Sequence, residues 1–267
     1  MLVRSPGKIN LHLRVFPPAG GFHPLRSWFR TIDLADTLRI ERAAGFSLAC
    51  DDPNVPTDGS NLIAKAFRLL DPPGGAAIRL TKRLPVGGGV GGGSSNAAAA
   101  LLGLAKLFGL PTPTVDQAAA LGSDVPFFLD AIAAGRTDAT CTGRGEVVEA
   151  FEPRRRHTVL LLLPGLQSAT PAVFRHFDTL PPPPDDDAPD FATWSALPAI
   201  ELLPRLRNDL QPAAFALHPA LAEVHAAAER ALGRRVLLTG SGSSLFTLYD
   251  DPAEVPAVEL PARHRVV

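Results

Sequence analysis

The sequence predicts an α+β fold with room for one large or two medium domains, on three observations. An alternating strand opens the chain. A strand, a glycine-rich loop and a helix then follow one another. A second succession of strands and helices starts near Val159. The length of 267 residues and the 46% hydrophobic content allow a sizeable core.

From Lys8 to Val15, Ile9, Leu11, Leu13 and Val15 alternate with Lys8, Asn10, His12 and Arg14. This predicts a strand with one apolar and one polar face. After a Pro17–Gly21 turn come extended segments at 25–34 and 37–41. A helix over 61–70 is stopped by Asp71-Pro72-Pro73-Gly74. Residues 76–84 read as a strand, 97–108 as a helix, 115–121 as a short helix, 125–132 as an apolar run and 141–151 as a turn plus strand. The second half reads as a strand at 159–163, a helix near 171–177, a helix at 220–232, and strands at 235–239 and 245–249. Residues 263–267 are expected to form an edge strand. The proline-acid run Pro181–Asp187 predicts a solvated, extended loop.

Composition excludes several function classes. A net charge of −1 gives no basic field for nucleic acid or an anionic membrane. No apolar signal core follows Met1, and the run Val159–Leu163 is too short to span a bilayer. Cys50 and Cys141 show neither metal spacing nor a disulfide framework, so a reduced, cytoplasmic setting is expected.

The loop carries most of the information. Pro85, Val86, Gly87, Gly88, Gly89, Val90, Gly91, Gly92 and Gly93 run into Ser94, Ser95 and Asn96. Without Cβ atoms, successive N–H groups can approach an anion, and the following helix N-terminus favours phosphate. Ser94, Ser95 and Asn96 are suitable helix caps. Gly88 and Gly93 fit the Walker spacing, but Ser94 stands where its lysine belongs. Gly87, Gly89 and Gly92 satisfy G-x-G-x-x-G, yet no second strand with an acid follows about 20 residues on. A third kind of nucleotide loop is required.

Other residues carry two readings each. Lys8 and Asn10 suit either a solvated sheet face or a cation in a cleft. Asp124 suits a helix cap or a carboxylate accepting a hydroxyl proton. Phe22 and His23 suit a loop anchor or a base-stacking pair. Asn208-Asp209 and Gly240–Ser244 read as tight turns.

Taken in order, the motifs resemble the GHMP kinase superfamily nearly end to end. They are Ser5–Leu13, Gly21-Phe-His-Pro-Leu-Arg-Ser-Trp-Phe29, Asn61-Leu-Ile, Lys82–Asn96, Leu121-Gly-Ser-Asp-Val-Pro-Phe-Phe128, Gly143-Arg-Gly-Glu146, Thr170-Pro171, Asn208-Asp-Leu210 and Gly240–Ser244. The resemblance implies a two-domain GHMP kinase fold. Residues 1–152 would be an ATP-binding domain similar to domain 2 of ribosomal protein S5, and 153–267 a ferredoxin-like domain. It implies transfer of the ATP γ-phosphate to the 2-hydroxyl of 4-diphosphocytidyl-2-C-methyl-D-erythritol, in the non-mevalonate isoprenoid route. Lys8 and Asp124 become the catalytic pair, and Pro85–Ser95 the phosphate cradle. Asn61 and Lys82 lie near adenine. Phe22 and Phe174 sandwich cytosine, His23 reads its edge, and Asn10 and Thr170 touch the acceptor. Mg2+ arrives with ATP, without a dedicated carboxylate cage. Gly20 and Phe22 depart from the usual Asp and Tyr of the Asp-Gly-Tyr-His stretch. Kinases of the superfamily acting on homoserine, mevalonate or a sugar, and a non-catalytic RNA-associated module, are the alternatives.

Overall fold

The structure is a computed structural model that describes residues 1–184 and 189–267. The loop expected at Pro181–Asp187 therefore lies partly outside the described residues. The elements of the first half are β1 (Leu2–Val15), β2 (Leu25–Ala43), β3 (Ser47–Cys50), α1 (Leu62–Leu70), β4 (Gly75–Thr81), α2 (Gly92–Phe108), α3 (Val115–Leu121), α4 (Val125–Ala134), β5 (Asp138–Gly143) and β6 (Val147–Phe151). The second half holds β7 (Thr158–Leu163), α5 (Thr170–Phe177), α6 (Phe191–Trp194), α7 (Ala199–Leu202), α8 (Gln211–Leu217), α9 (Pro219–Leu232), β8 (Leu237–Leu238), β9 (Leu245–Tyr249) and β10 (Arg263–Val266). Strands β1–β6 form one sheet. Strands β7–β10 form an antiparallel sheet in the order β10-β7-β9-β8, so the expected edge strand at the end of the chain is found.

The segments expected at 25–34 and 37–41 are one continuous strand, β2. It pairs β1 along one flank and β5 and β4 along the other. Its length lets a single strand support both halves of the sheet.

The alternation read for β1 is interrupted. A β-bulge between Asn10 and His12 shifts the register by one residue, which exchanges the faces of everything beyond it. Ile9 and Leu11 pack with Trp28 and Phe191, whereas Leu13 and Val15 join a different core with Leu160 and Leu162. Lys8, Asn10, His12 and Arg14 are all buried, so the face expected to be solvated is covered.

Helix α2 is the centre of the first core. Ala97–Ala100, Leu101 and Leu104 are fully buried, as an apolar helix without a polar face requires. A β-carbon on Gly103 would lie 2.4 Å from Ile40 Cδ1, so the helix rests directly on β2 there. The helix begins at Gly92, capped by Gly91 in a left-handed conformation. Ser94, Ser95 and Asn96 therefore lie inside its first turns rather than capping it, which corrects the sequence expectation. The physical reason is steric: a left-handed cap residue suits glycine. Among the described residues no helix is long and apolar enough to cross a membrane.

Candidate active site

Two adjoining cavities meet at the glycine loop. One, of about 400 Å³, is lined by Pro85–Ser94 together with Asn61 and Lys82. The other, of about 390 Å³, is lined among others by Lys8, Asn10, Asp124, Thr170 and Phe174. Gly89, Gly91 and Ser94 belong to both walls.

The loop cavity is built from strand ends and helix starts. Lys8 N–H donates to the Val90 carbonyl at 2.9 Å, tying β1 to the loop. Beneath the loop lies Phe128: a β-carbon on Gly91 would sit 2.8 Å from its ring and 3.2 Å from Lys8 Cγ. Ser95 is fully buried, and Ser5 donates to its hydroxyl at 2.8 Å. It anchors the helix to β1 and does not line the loop cavity. Asn61 caps α1, accepting from Ile63 N–H at 2.8 Å and donating to the Pro56 carbonyl at 2.6 Å.

Lys82 is paired with Asp36 at 2.5 Å, and the Asp36 carboxylate is fully buried. Asp36 also accepts from the Arg83 and Leu84 N–H groups at 2.7 and 2.8 Å. One buried acid thus fixes the approach to the loop. Sequence reasoning missed it because it split β2 at this point.

In the second cavity, Asp124 is the N-cap residue of α4, four residues before Phe128. Its carboxylate does not cap its own helix; it stands 3.6 Å from Lys8 Nζ. Lys8 also donates to Asn10 Oδ1 and lies 4.6 Å from the centre of the Phe29 ring. Asn10 is fixed from three sides: it donates through Nδ2 to Ser27, its N–H donates to Thr239 Oγ1, and its Oδ1 accepts from Lys8. Cys141 is completely buried nearby. Burial, and then the Asp124 carboxylate, push its thiol well above the usual value.

The second half closes the cavity. Thr170 Oγ1 is 2.7 Å from Ser241 Oγ. Asn208, read as a turn residue, donates to the carbonyls of Leu238 and Gly240 at 2.8 and 2.7 Å and accepts from Leu210 N–H. Its neighbour Asp209 accepts from Val15 N–H, and burial raises its pKa. Asn208 thereby holds the Gly240–Ser244 turn against β1.

The aromatic group is only partly assembled. The rings of His23 and Phe174 are 5.5 Å apart. Phe22 is 39% exposed with Arg144 over its ring at 5.4 Å; neither Phe22 nor His23 lines the second cavity. His23 Nδ1 is 2.8 Å from the Phe16 carbonyl oxygen and Nε2 is 2.8 Å from an Asp178 oxygen. Both ring nitrogens are already engaged.

A glycine loop opening a helix, with a Lys–Asp pair on its far side, suits phosphoryl transfer to a small molecule. A family model described as "GHMP kinases N terminal domain" matches residues 61–140, and one described as "GHMP kinases C terminal" matches 196–265. The 4-diphosphocytidyl-2-C-methyl-D-erythritol kinase of Protochlamydia amoebophila is 36% identical, over 95% of this chain and 85% of its own length. That of a Nocardioides species is 38% identical, over 99% and 95%. A crystal structure of 4-(cytidine 5'-diphospho)-2C-methyl-D-erythritol kinase superposes with a TM-score of 0.75 at 36% identity, covering 95% of this chain and 92% of that one. A mevalonate kinase structure shares the fold, with a TM-score of 0.65 at 14% identity. The chain belongs to the 4-diphosphocytidyl-2-C-methyl-D-erythritol kinase family of the GHMP kinases.

Proposed function

We propose that the chain moves the γ-phosphoryl group of ATP to the 2-hydroxyl of 4-diphosphocytidyl-2-C-methyl-D-erythritol, giving the 2-phosphate and ADP in the non-mevalonate isoprenoid route. The observation that carries this reading is the Lys8–Asp124 pair, 3.6 Å apart, in a cavity that shares Gly89, Gly91 and Ser94 with the loop cavity.

Phosphoryl transfer relies on positioning and charge stabilisation. Asp124 takes the proton from the 2-hydroxyl as its oxygen bonds to the γ-phosphorus. The bond from that phosphorus to the bridging oxygen breaks, and ADP leaves with the electron pair. Lys8 stabilises negative charge developing on the attacking oxygen, in a pocket where its side chain is 5% exposed. Loop N–H groups from Val86 to Ser94 hold the phosphates with Pro85 lining the same wall, and Asn61 and Lys82 stand at the adenine end. Asn10 and Thr170 position the acceptor.

Phe22 and Phe174 sandwich the cytosine, and His23 meets its edge by exchanging one of its present contacts for the base. Among the described residues there is no group of three or more His, Cys, Asp or Glu that could hold a metal. The donor set suits a magnesium ion held mainly by phosphate and water oxygens. The Asp124 carboxylate and Ser94 hydroxyl are the hard oxygens that would face it, and the ion would neutralise phosphate charge. Residues 1–152 and 153–267 are assigned as the two domains. The free thiols Cys50 and Cys141 suit a reducing cytoplasm.

ADP release from magnesium-ATP tests the reading, with the cytidine substrate beside homoserine, mevalonate and no acceptor. Turnover with the cytidine substrate alone supports it. Turnover with homoserine or mevalonate instead would replace it by another kinase of the same fold. A near-neutral net charge speaks against an RNA-associated role.

A further inference from the structure

Away from the cleft, positive charge gathers around a cavity of about 290 Å³ formed by β2, β5 and the chain entering β7. It shares no lining residue with the two cavities at the glycine loop. Arg4, Arg30, Arg136, Arg155 and Arg156 line it, against Asp33 and Asp138. Four of these arginines have an acid within 4 Å: Asp33 for Arg4, Asp138 for Arg30, Asp130 for Arg136 and Asp250 for Arg155. Arg156 has none among the described residues and is exposed.

Arg30 is unusual among them, because its side chain is only 7% exposed. Nε donates to Asp138 Oδ1 at 2.7 Å, and Nη1 donates to His157 Nδ1 at 2.9 Å. Nη2 is buried without a protein partner. Asp138 is already committed, accepting from Trp28 Nε1 at 2.6 Å and from Thr137 at 2.8 Å. His157 brings no negative charge, and burial followed by the Arg30 charge keeps its pKa low. A buried guanidinium N–H without an acceptor is costly, and native structures rarely leave one so. An arginine fork matches phosphate oxygens better than any other side chain.

We propose that this cavity is a second anion site, taking a phosphate or diphosphate group on the Arg30 guanidinium, with Arg136 and Arg156 at its rim. Its walls come from both halves of the chain, so a bound anion links the first sheet to the entry of β7.

The Arg30 guanidinium lies 5.0 Å from the centre of the Trp28 ring, which supplies a local reporter. In a Trp194→Phe background Trp28 is the sole tryptophan. Its fluorescence is followed while inorganic phosphate, inorganic diphosphate or chloride is added at matched ionic strength. A non-hydrolysable ATP analogue keeps the glycine loop occupied. A saturable change with phosphate or diphosphate, absent with chloride, is expected. Arg156→Ala, on the surface, and Arg30→Lys, which keeps a charge beside Asp138, should each weaken it by about tenfold. Phosphate outdone by diphosphate identifies a two-phosphate ligand; equal binding identifies a single phosphate group. A response that does not saturate, or one that Arg156→Ala leaves at the wild-type midpoint, overturns the proposal.

Discussion

Gly89 and Thr239 are packed so closely that a β-carbon on Gly89 would lie 2.5 Å from the Thr239 carbonyl oxygen. The Gly242 carbonyl oxygen would be 3.0 Å away, and Gly89 itself has φ +76°. The loop of the first half is therefore stitched to the glycine turn of the second. Ser244 N–H completes the junction by donating to the Gly88 carbonyl at 3.0 Å. Gly89→Ala adds a left-handed alanine, costing about 1–2 kcal/mol, and drives it into backbone that cannot rotate away. ATP affinity should fall by at least about tenfold, measured by equilibrium titration with the fold checked by circular dichroism. Wild-type affinity would mean that the loop tolerates a displaced backbone.

In the proposed mechanism Asp124 and Lys8 make separable contributions. Asp124→Asn keeps the shape of the side chain and removes the base, so kcat should drop by about 10²–10⁴-fold with ATP affinity unchanged. Lys8→Met should also lower kcat, since the chain stem remains packed while the charge is lost. Steady-state kinetics beside ATP titration reads both. Unaltered turnover in Asp124→Asn would remove the carboxylate from the proton transfer.

Phe22 tests the proposed cytosine pocket. Its ring is partly exposed under Arg144, which itself lines the cavity of Lys8 and Asp124. Stacking on a base is worth about 1–3 kcal/mol, so Phe22→Ala should raise KM for the cytidine substrate by about 5- to 150-fold. The KM for ATP should stay constant. A rise in the ATP value instead would relocate the base pocket.

The legible parts of this site were those whose chemistry demands a local pattern. Glycines without Cβ atoms, a lone acid before Val125-Pro126 and a lysine in an alternating strand all show in the sequence, and the fold brings them to adjoining cavity walls. Contacts between distant segments did not show. Asp36 organises Lys82–Leu84 from 46 residues away in the chain, and Asn208 supports a turn 32 residues downstream. The bulge after Asn10 was equally hidden, because a period-two pattern continues across it while the backbone does not. Ser95 had the right chemistry for a cap, yet the helix started three residues earlier on glycine.

His157 makes stability depend on acid. Its ring is buried, accepting from Arg30 through Nδ1 and donating through Nε2 to the Leu197 carbonyl at 3.0 Å. Burial first, and then the Arg30 charge, hold its pKa below the ordinary 6.5. In the unfolded chain the ring titrates near that ordinary value. Between 6.5 and the lower folded value, the unfolded state binds more protons, so stability rises with pH across that window. The contribution is complete above 6.5 and is lost as the pH falls through the folded value. His157→Gln keeps an acceptor for Arg30 and a donor for Leu197 but cannot titrate. Urea midpoints taken at successive pH values below 6.5 should therefore fall more steeply for the wild type than for the variant. Parallel curves would assign the acid sensitivity to the carboxylates instead.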